Sequence, residues 1–388
     1  MHAETTDSQT LLLVATAAGL FLGGLCAAVI GSIKLPMSRR LGMDEGRVGV
    51  LVASFSITFL PVVIISGWMI DSLGVRLVLL FALIGVAIGL TLLAFAGKFF
   101  QAICAAIFLS VAWSTLINVV HVMIPIAFPG SIVTGTNVAD VFFSLGALTT
   151  PLLAAQMVRG ETYRGLLFLI AIVATVAGSF CLLLPAATMV PEVEAPADGM
   201  SFLQHPRIWL CGIALCLFGP IETTFATWTS SYLVEKGYSD RFGTRMISGF
   251  WGASMISRLV VAFVLPLLWF TTKETSIVLI LSVVATLVTL LIVIVPARRA
   301  APWLVMAAGL ACGPLFPTVR AILFLGFDPS MHGRALGTTL AIGNLGYTLT
   351  PLIVGLVARK TTVQRSFIVL TFSGIGLIAV SIALLLHV

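Results

Sequence analysis

The sequence predicts an all-α membrane protein with twelve transmembrane helices in two related six-helix halves. Three observations indicate this fold class. First, 59% of the 388 residues are hydrophobic and only 9% are charged, and the mean hydropathy is +1.14, unlike a soluble domain. Second, runs of about 20 apolar residues, enough to cross a bilayer core of roughly 30 Å, recur between short polar breaks. Third, the two halves share an internal repeat.

Six predicted spans lie in the first half of the chain. They are near residues 11–33, 47–66, 77–97, 99–124, 131–155 and 165–189. The first run is too long, and its N-terminal flank too weakly charged, for a cleaved signal peptide, so we interpret it as a true span. The polar stretch VPEVEAPADGMSFLQHP at 190–206 is the predicted cytoplasmic linker. It separates an N-terminal half, residues 1–189, from a C-terminal half, residues 207–388.

Six more spans follow in the second half. They are predicted near residues 208–234, 243–270, 275–296, 302–325, 334–358 and 365–387. All six cysteines fall inside predicted spans, where their spacing suggests neither a disulfide framework nor a metal site. These are Cys26, Cys104, Cys181, Cys211, Cys216 and Cys312. We interpret them as small packing residues.

An internal repeat relates the halves at an offset of 200 residues. SLGALTTPL at 144–152 matches NLGYTLTPL at 344–352. The identical pairs are Leu145/Leu345, Gly146/Gly346, Thr150/Thr350, Pro151/Pro351 and Leu152/Leu352, and Pro129/Pro329 continues the register upstream. The fifth span therefore corresponds to the eleventh. A parallel repeat of this kind predicts two halves around a pseudo-two-fold axis along the membrane normal, with a cleft between halves that can rock.

The stretch GWMIDSLGVR at 67–76 places charge and glycine between two apolar runs. Its pattern G-x-x-x-D-x-x-G-x-R, carried by Gly67, Asp71, Gly74 and Arg76, resembles the loop signature of the major facilitator superfamily. Two signature arginines are replaced here, by serine at 72 and valine at 75. The glycines would permit a tight turn, Asp71 would face a helix N-terminus, and Arg76 would hold acidic or carbonyl partners. We expect these four residues to form a gating loop that latches the halves; a plain solvated connector is the alternative.

Three other stretches resemble the fucose-proton symporter family and its relatives within that superfamily. They are GPIETTFATWTSSYL at 219–233, WGASMISRLV at 251–260 and GPLFPTV at 313–319. In that family the seventh helix carries a glutamate and, six residues later, a tryptophan, as Glu222 and Trp228 do here; the eighth carries an arginine, as Arg258 does. The resemblance implies proton-driven uptake of a sugar or similar polar solute. This sequence departs from the family at Arg320, where an uncharged or aromatic residue is expected, and at His121, where asparagine is expected.

Ionisable side chains inside apolar runs are the first candidates for a binding site, because an unpaired charge at membrane depth is costly. They are His121 in the fourth span, Asp140 in the fifth, Glu222 in the seventh, Arg258 in the eighth and Arg320 in the tenth. In the superfamily that the chain resembles, spans one, four, seven and ten line the cleft. The resemblance therefore implies that His121, Glu222 and Arg320 meet at the core of the site.

Polar residues at helical spacing extend this site. Asn118 shares a face with His121 on the fourth span, and Asn344 and Tyr347 lie on a polar stripe of the eleventh. The predicted substrate-binding residues are Asn118, His121, Trp228, Arg320, Asn344 and Tyr347. The residues predicted to couple protons or form ion pairs are Glu222, Arg258 and Asp140.

Several of these assignments have a purely structural alternative. Glu222 and Arg258 could form a static buried ion pair, Asp140 and His121 could be interhelical hydrogen-bonding residues, and Trp228 could be a packing aromatic instead of a platform for a sugar ring. Arg320 is the hardest to explain in this way. A guanidinium that stays charged inside an apolar run requires a partner, and either Glu222 or an anionic substrate would serve.

Three classes of function fit the sequence. The first is a proton-coupled carrier that moves a sugar-like solute or an anionic metabolite by alternating access; the second is an anion exchanger or facilitator without proton coupling. The third, a non-transporting receptor of carrier fold, is disfavoured because no soluble segment exceeds 17 residues. An enzyme is not indicated, because the short loops hold no nucleophile-base constellation, phosphate loop or metal spacing. We expect a monomer in the lipid bilayer, with a small-molecule substrate and protons as partners and no cofactor, metal or nucleic acid.

Two signals disagree on orientation in the membrane. With both termini in the cytoplasm, the inner segments carry four lysines and arginines and the outer segments fifteen. The positive-inside rule would invert this arrangement. The GWMIDSLGVR signature is cytoplasmic in the superfamily, and on that basis we expect cytoplasmic termini at the inner (plasma) membrane. The net charge of +6 then marks a basic outer surface and not a nucleic-acid site.

Overall fold

A computed structural model describes residues 2–56, 58–127, 132–160, 162–183, 201–264, 274–327 and 332–387, and most of these residues are helical. The helices of the N-terminal half are α1 (His2–Ala27), α2 (Val29–Leu41), α3 (Glu45–Ser56), α4 (Phe59–Phe95), α5 (Phe99–Ala127), α6 (Ile132–Met157) and α7 (Arg164–Cys181). Those of the C-terminal half are α8 (Pro206–Glu235), α9 (Asp240–Leu259), α10 (Glu274–Ile294), α11 (Ala301–Cys312), α12 (Leu315–Phe324), α13 (His332–Lys360), α14 (Val363–Ser366) and α15 (Ile368–His387). The predicted all-α fold is confirmed.

The predicted number of spans agrees with these helices. Within the described ranges, eleven segments are long and apolar enough to cross a membrane. The remaining predicted span, near 47–66, corresponds to α3 together with the first part of α4. Most of the predicted linker lies outside the described residues; its last part contains a short 3-10 helix, Ser201–Gln204, before α8 begins.

The signature at 67–76 is helical except at one residue, whereas the sequence predicted a loop. Helix α4 runs through it, and Gly67 is helical. The break is at Gly74, where φ is 78° and ψ is 159°, a conformation that residues with a Cβ atom avoid. The second span therefore passes into the third at a single glycine, and the polar residues around it belong to helices.

Two other predicted spans have different bounds in the structure. The first does not end near residue 33, because α2 continues to Leu41 and is capped by Gly42 in the left-handed conformation. The tenth is divided into α11 and α12 at Gly313 and Pro314. Proline cannot supply the amide N–H that an unbroken helix needs.

The repeat is visible in how the halves are packed. Helix α6 packs on α1, and its counterpart α13 packs on α8. A Cβ atom added to Gly146 would lie 1.9 Å from the carbonyl oxygen of Phe21, and one added to Gly346 would lie 1.8 Å from that of Cys216. This glycine pair of the repeat therefore allows the same close helix contact in each half.

Contacts between the halves follow the same symmetry. Helix α6 of the first half packs against α9 of the second, and α13 of the second packs against α3 of the first. The hydroxyl of Ser248 on α9 donates to the carbonyl oxygen of Leu148 on α6 at 2.6 Å. These two interfaces flank a central cavity, and the helices that line it carry the ionisable residues.

Candidate functional site

The central cavity lies between the halves and has a volume of about 210 Å³. Helices α1 to α6 line it from the N-terminal half, and α8, α9, α12 and α13 line it from the C-terminal half. Eight of the nine residues predicted to bind substrate, couple protons or form ion pairs lie in its wall. They are Asn118, His121, Asp140, Glu222, Arg258, Arg320, Asn344 and Tyr347.

Arg320 on α12 has an incomplete set of partners. Its Nη2 is 3.3 Å from Oδ1 of Asp140 and donates to the carbonyl oxygen of Thr136 at 3.4 Å. Its Nε and Nη1 have no hydrogen-bond partner among the described residues, although only 2% of its surface is exposed. The sequence had offered Glu222 as the protein partner of Arg320, and the structure instead pairs it with Asp140. Packing of α6 against α12 brings the two together.

Arg258 on α9 is hydrogen-bonded more fully. Its Nε donates to the carbonyl oxygen of Gly313 at 2.7 Å, and its Nη1 donates to that of Asp140 at 3.0 Å and to the hydroxyl of Ser144. Its Nη2 is 3.9 Å from Oε1 of Glu222. The predicted ion pair with Glu222 is thus present, but it is longer than the bonds to the two carbonyl groups.

Glu222 on α8 lies in the cavity wall between an aromatic hydroxyl and a cation. The hydroxyl of Tyr347 donates to its Oε2 at 3.0 Å, while its Oε1 faces Arg258. The side chain retains 16% exposure, more than any other member of the two buried ion pairs. The carboxylate of Glu222 therefore contacts both a hydrogen-bond donor and a cation, on two different helices.

His121 and Asn118 form the polar part of the α5 wall. Nδ1 of His121 is 2.6 Å from the carbonyl oxygen of Ile117, so Nδ1 is engaged by the backbone of its own helix and Nε2 takes no part in that contact. Nδ2 of Asn118 donates to the carbonyl oxygen of Val63 at 3.1 Å and to the hydroxyl of Ser66 at 2.7 Å. Asn118 therefore also joins α5 to α4, in addition to lining the cavity.

Aromatic side chains of the cavity wall were missed by the sequence analysis. The ring centroids of Phe55 and Trp113 are 5.3 Å apart, and those of Phe143 and Trp251 are 5.9 Å apart. Trp113 lies two turns before His121 on the same face of α5, a periodicity that could have predicted its position. Inside an apolar run, phenylalanine and tryptophan do not stand out from the other hydrophobic residues, whereas a charged residue does.

Among the predicted gating-loop residues, Gly74 forms the break in α4 and Arg76 lies beside the C-terminal end of α7. Nη2 of Arg76 donates to the carbonyl oxygen of Leu182, just after α7, at 2.8 Å. This contact lies within one half and does not join the two. The side chain of Asp71 lies outside the described part of the structure, so its predicted contact with a helix N-terminus stays a prediction.

The sequence and this architecture match a known family. The model of the Major Facilitator Superfamily matches residues 16–308, which is most of the chain. The chain belongs to the Major Facilitator Superfamily. Members of this family are membrane transporters of small molecules and not enzymes, in agreement with the class that the sequence predicted.

Relatives within the superfamily are distant. The chain is 22% identical over 184 residues to "Bypass of stop codon protein 6" of Saccharomyces cerevisiae; the alignment covers 46% of this chain and 37% of that protein. It is 22% identical over 249 residues to "Glucose/galactose transporter" of Brucella abortus biovar 1, covering 60% of this chain and 56% of that protein. The match thus spans about half or less of each relative's length.

Solved structures of superfamily members share the complete fold. The nucleoside transporter NupG has a TM-score of 0.72 at 15% identity, covering 98% of this chain and 99% of that one. The human organic anion transporter MFSD10 has a TM-score of 0.70 at 17% identity, covering 96% and 99%. FucP in the outward conformation has a TM-score of 0.70 at 12% identity, covering 97% and 99%. The match to FucP supports the resemblance that the sequence motifs indicated.

One end of this Major Facilitator Superfamily transporter is closed by contacts between the halves. Nζ of Lys34 on α2 is 2.9 Å from Oε2 of Glu45 and 3.4 Å from the ring centroid of Trp228 on α8. Nearby, Arg39 pairs with Asp240 across the halves. Trp228 is fully buried under Lys34 and does not line the cavity. The structure therefore separates Trp228 from the other predicted substrate-binding residues.

The lysine at this closed end was not recognised in the sequence as a buried charge. With the first span predicted to end near residue 33, Lys34 counts among the fifteen basic residues of the predicted outer segments. In the structure its side chain is only 1% exposed, and Glu45 and Trp228 surround the ammonium group. A carboxylate partner and a cation–π contact together compensate for its removal from water.

Proposed function

We propose that this transporter moves a small neutral solute bearing several hydroxyl groups, such as a sugar or a nucleoside, together with a proton. The observation that carries the proposal is the incomplete hydrogen bonding of Arg320 in the cavity wall. A guanidinium stays charged and has five N–H donors in a planar fork. Its Nε and Nη1 have no partner among the described residues. Hydroxyl oxygens of a bound solute would supply the missing acceptors.

The charge balance of the cavity favours a neutral solute. Two arginines, Arg258 and Arg320, face two carboxylates, Asp140 and Glu222, in pairs that each bridge two helices. The sum of these charges is zero when both carboxylates are ionised. While Glu222 is ionised, a solute with a net charge would upset that balance in a region of low dielectric, where uncompensated charge is costly.

Aromatic residues support the same class of solute. Phe55, Trp113 and Trp251 line the cavity near the polar groups. The flat rings of these side chains suit the apolar face of a sugar ring or a nucleobase, while the arginines and Tyr347 suit its polar edge. The names of two proteins that this chain is similar to, a glucose/galactose transporter and a nucleoside transporter, are in accord with this class.

Glu222 is the proposed site of proton coupling. Its carboxylate accepts from Tyr347 and faces Arg258, and it is the most exposed of the four paired residues in the cavity. Protonation would remove its attraction for Arg258, and deprotonation would restore it. Glu222 lies on α8 and Arg258 on α9, and both helices line the cavity. A change in the attraction between these two side chains would therefore act directly on helices that surround the solute.

An anion exchanger or facilitator is the second candidate function. It is favoured by the same free donors of Arg320, which also suit a carboxylate. The similarity in fold to an organic anion transporter is compatible with it. The two functions differ in whether solute uptake depends on a proton gradient.

A binding screen followed by transport measurements tests the proposal. Thermal shift of the purified protein in detergent would compare monosaccharides, nucleosides, carboxylates and inorganic anions. The solute that stabilises the protein is then tested in proteoliposomes with and without an inward proton gradient. We expect a sugar or nucleoside to bind and the gradient to drive its accumulation. Binding of carboxylates alone, with gradient-independent exchange, would instead establish the second function.

We also propose a monomer in the plasma membrane with both termini in the cytoplasm. The proposal on orientation follows the loop signature, against the excess of basic residues in the segments that would then be outside. A fluorescent protein fused after Val388 should fold and fluoresce in the cytoplasm. Activity of alkaline phosphatase fused at the same position would show the opposite orientation.

A further inference from the structure

The hydrogen bonding of the tenth span is interrupted at the motif GPLFPTV: Gly313 and Pro314 keep helical backbone angles, but a carbonyl group there lacks its helical donor. In a regular α-helix the carbonyl of Gly313 would accept from the amide of residue 317. Residue 317 is proline, which has no N–H. Helix α11 ends at Cys312 and α12 begins at Leu315, so this carbonyl lies at the junction of the two helices.

Arg258 supplies the missing donor. Its Nε donates to the carbonyl oxygen of Gly313 at 2.7 Å. One turn earlier on both helices, the hydroxyl of Ser254 donates to the carbonyl oxygen of Gly309 at 3.0 Å. A Cβ atom on Gly313 would lie 2.4 Å from the carbonyl oxygen of Ser254, so glycine is needed for α9 to approach this closely.

The same guanidinium also holds the opposite half of the molecule. Nη1 of Arg258 donates to the carbonyl oxygen of Asp140 at 3.0 Å and to the hydroxyl of Ser144, both on α6. Arg258 thus connects the junction of α11 and α12 to a helix of the N-terminal half. Its distance of 3.9 Å to Glu222 is longer than either carbonyl bond. Pairing with Glu222 therefore does not account for where Arg258 lies.

We propose that Arg258 is a positioning residue that replaces the hydrogen bond removed by Pro317 and so fixes the direction of α12. Helix α12 carries Phe316 and Arg320 into the cavity wall. Arg320 lies two turns after Gly313, so a change in direction at the junction would displace its guanidinium. This role deepens the proposed function, because it sets where the solute-binding arginine is placed.

Hydrogen exchange of the full-length protein in detergent tests this role without any solute. Arg258→Gln removes the donor to Gly313, and we expect the amides of residues 315, 316 and 318–324 to exchange at least about tenfold faster, the effect of one lost charge-assisted hydrogen bond. Pro317→Ala restores an N–H at position 317. In the double variant, exchange should return to within about threefold of the wild-type rate. Pro317→Ala alone should exchange no faster than wild type.

Two further variants keep the test decisive. Ser254→Ala is the control, since it removes the neighbouring side-chain donor of α9, to Gly309, whose carbonyl still accepts from the amide of Gly313; it should leave exchange in α12 unchanged. Arg258→Lys replaces Arg258→Gln if the latter does not fold, because one ammonium group cannot reach Gly313, Asp140 and Ser144 together. Unchanged exchange in α12 of the Arg258 variants, or an effect that Pro317→Ala does not reduce, would overturn the proposal.

Solute affinity gives a second readout. Arg258→Lys should weaken binding of the solute found by thermal shift, and Pro317→Ala in the same chain should recover part of the loss. If Arg258→Lys weakened binding only by destabilising the whole protein, adding one backbone N–H at position 317 would not restore the affinity. Since hydrogen exchange needs no solute, failure of the proposed substrate class would leave the exchange result unaffected, and the two proposals fail separately.

Discussion

Arg258 and Arg320 line one cavity, and each has 2% of its surface exposed, yet their hydrogen bonding differs. Arg258 donates to two carbonyl oxygens at 2.7 and 3.0 Å and also contacts the hydroxyl of Ser144. Arg320 makes one carbonyl contact at 3.4 Å and a 3.3 Å ion pair with Asp140. Within the described residues, two of its nitrogens have no acceptor.

We propose that this difference separates a buried charge that stabilises the fold, Arg258, from one that binds a ligand, Arg320. A buried donor without an acceptor is unfavourable, and it persists where another molecule completes its bonding. Arg258 has fixed backbone partners and so holds helices in place. Arg320 has donors to spare and faces the cavity. The following predictions test that contrast, beginning with the largest expected effect.

Arg320→Ala should abolish solute binding while leaving a folded, monodisperse protein. The substitution removes the donors that the solute is proposed to use, and Asp140 still faces the cavity. Binding is measured by thermal shift and by isothermal titration calorimetry, and folding by size-exclusion chromatography. The matched variant, Arg258→Ala, should lower the unfolding temperature further than Arg320→Ala does, because it also leaves two buried carbonyl groups without a donor, at about 1–3 kcal/mol each.

Either of two results for Arg320→Ala would remove the contrast. Normal binding would exclude Arg320 from the site. An unfolded or aggregated protein would show that Arg320 is needed for the fold, as Arg258 is proposed to be.

Glu222→Gln should abolish accumulation of solute against its gradient but permit exchange. Glutamine keeps the size of the side chain and can still accept from Tyr347, but it cannot bind and release a proton. The measurement compares proton-driven uptake and counterflow in proteoliposomes. Glu274→Gln, at the start of α10 and outside the cavity wall, is the control. Gradient-driven accumulation at the wild-type level would reject the coupling role of Glu222.

Asp140→Asn should strengthen solute binding modestly and slow transport. Asparagine removes the anion that competes with the solute for Arg320, so we expect affinity to rise about threefold, a change of about 0.6 kcal/mol. The unfolding temperature should fall, because the guanidinium is then buried without a carboxylate. Calorimetry and proteoliposome flux measure the two effects. A loss of affinity would mean that Asp140 positions Arg320 for the solute and does not compete with it.

Trp228→Phe should have the smallest effect, with solute affinity within about twofold of wild type. The ring of Trp228 lies under Lys34 at the closed end and outside the cavity wall. Phenylalanine keeps an aromatic face for the ammonium group. Calorimetric titration of this variant distinguishes the buried position from the role in substrate binding that the sequence had predicted. A large loss of affinity would return Trp228 to the site.

Much of the fold could be predicted because the bilayer constrains the sequence strongly. A span requires a long apolar run, and the repeat around Gly146 and Gly346 has a direct physical meaning, since both glycines let helices approach. The breaks within spans were harder to predict. The α11–α12 junction depends on Pro314 and Pro317, and prolines inside a span do not always divide it.

Candidate site residues could be selected from sequence because charge in an apolar run is conspicuous. Their pairing could not, because it depends on how helices of the two halves pack. Asp140 meets Arg320 only where α6 contacts α12. Trp113 was missed for the opposite reason, because an aromatic residue in an apolar run resembles ordinary packing. The sequence therefore predicts which residues are unusual, and tertiary contacts decide what they bind.

The most direct measurement of the central claim is the solute affinity of Arg320→Lys, determined by calorimetry beside wild type. Lysine keeps the positive charge and the pairing with Asp140, but it lacks the planar fork of donors. If the solute is bound by that fork, affinity should fall at least about tenfold, or about 1.4 kcal/mol, with little change in unfolding temperature. Unchanged affinity would contradict the claim, because it would show that a single positive charge is sufficient at this position.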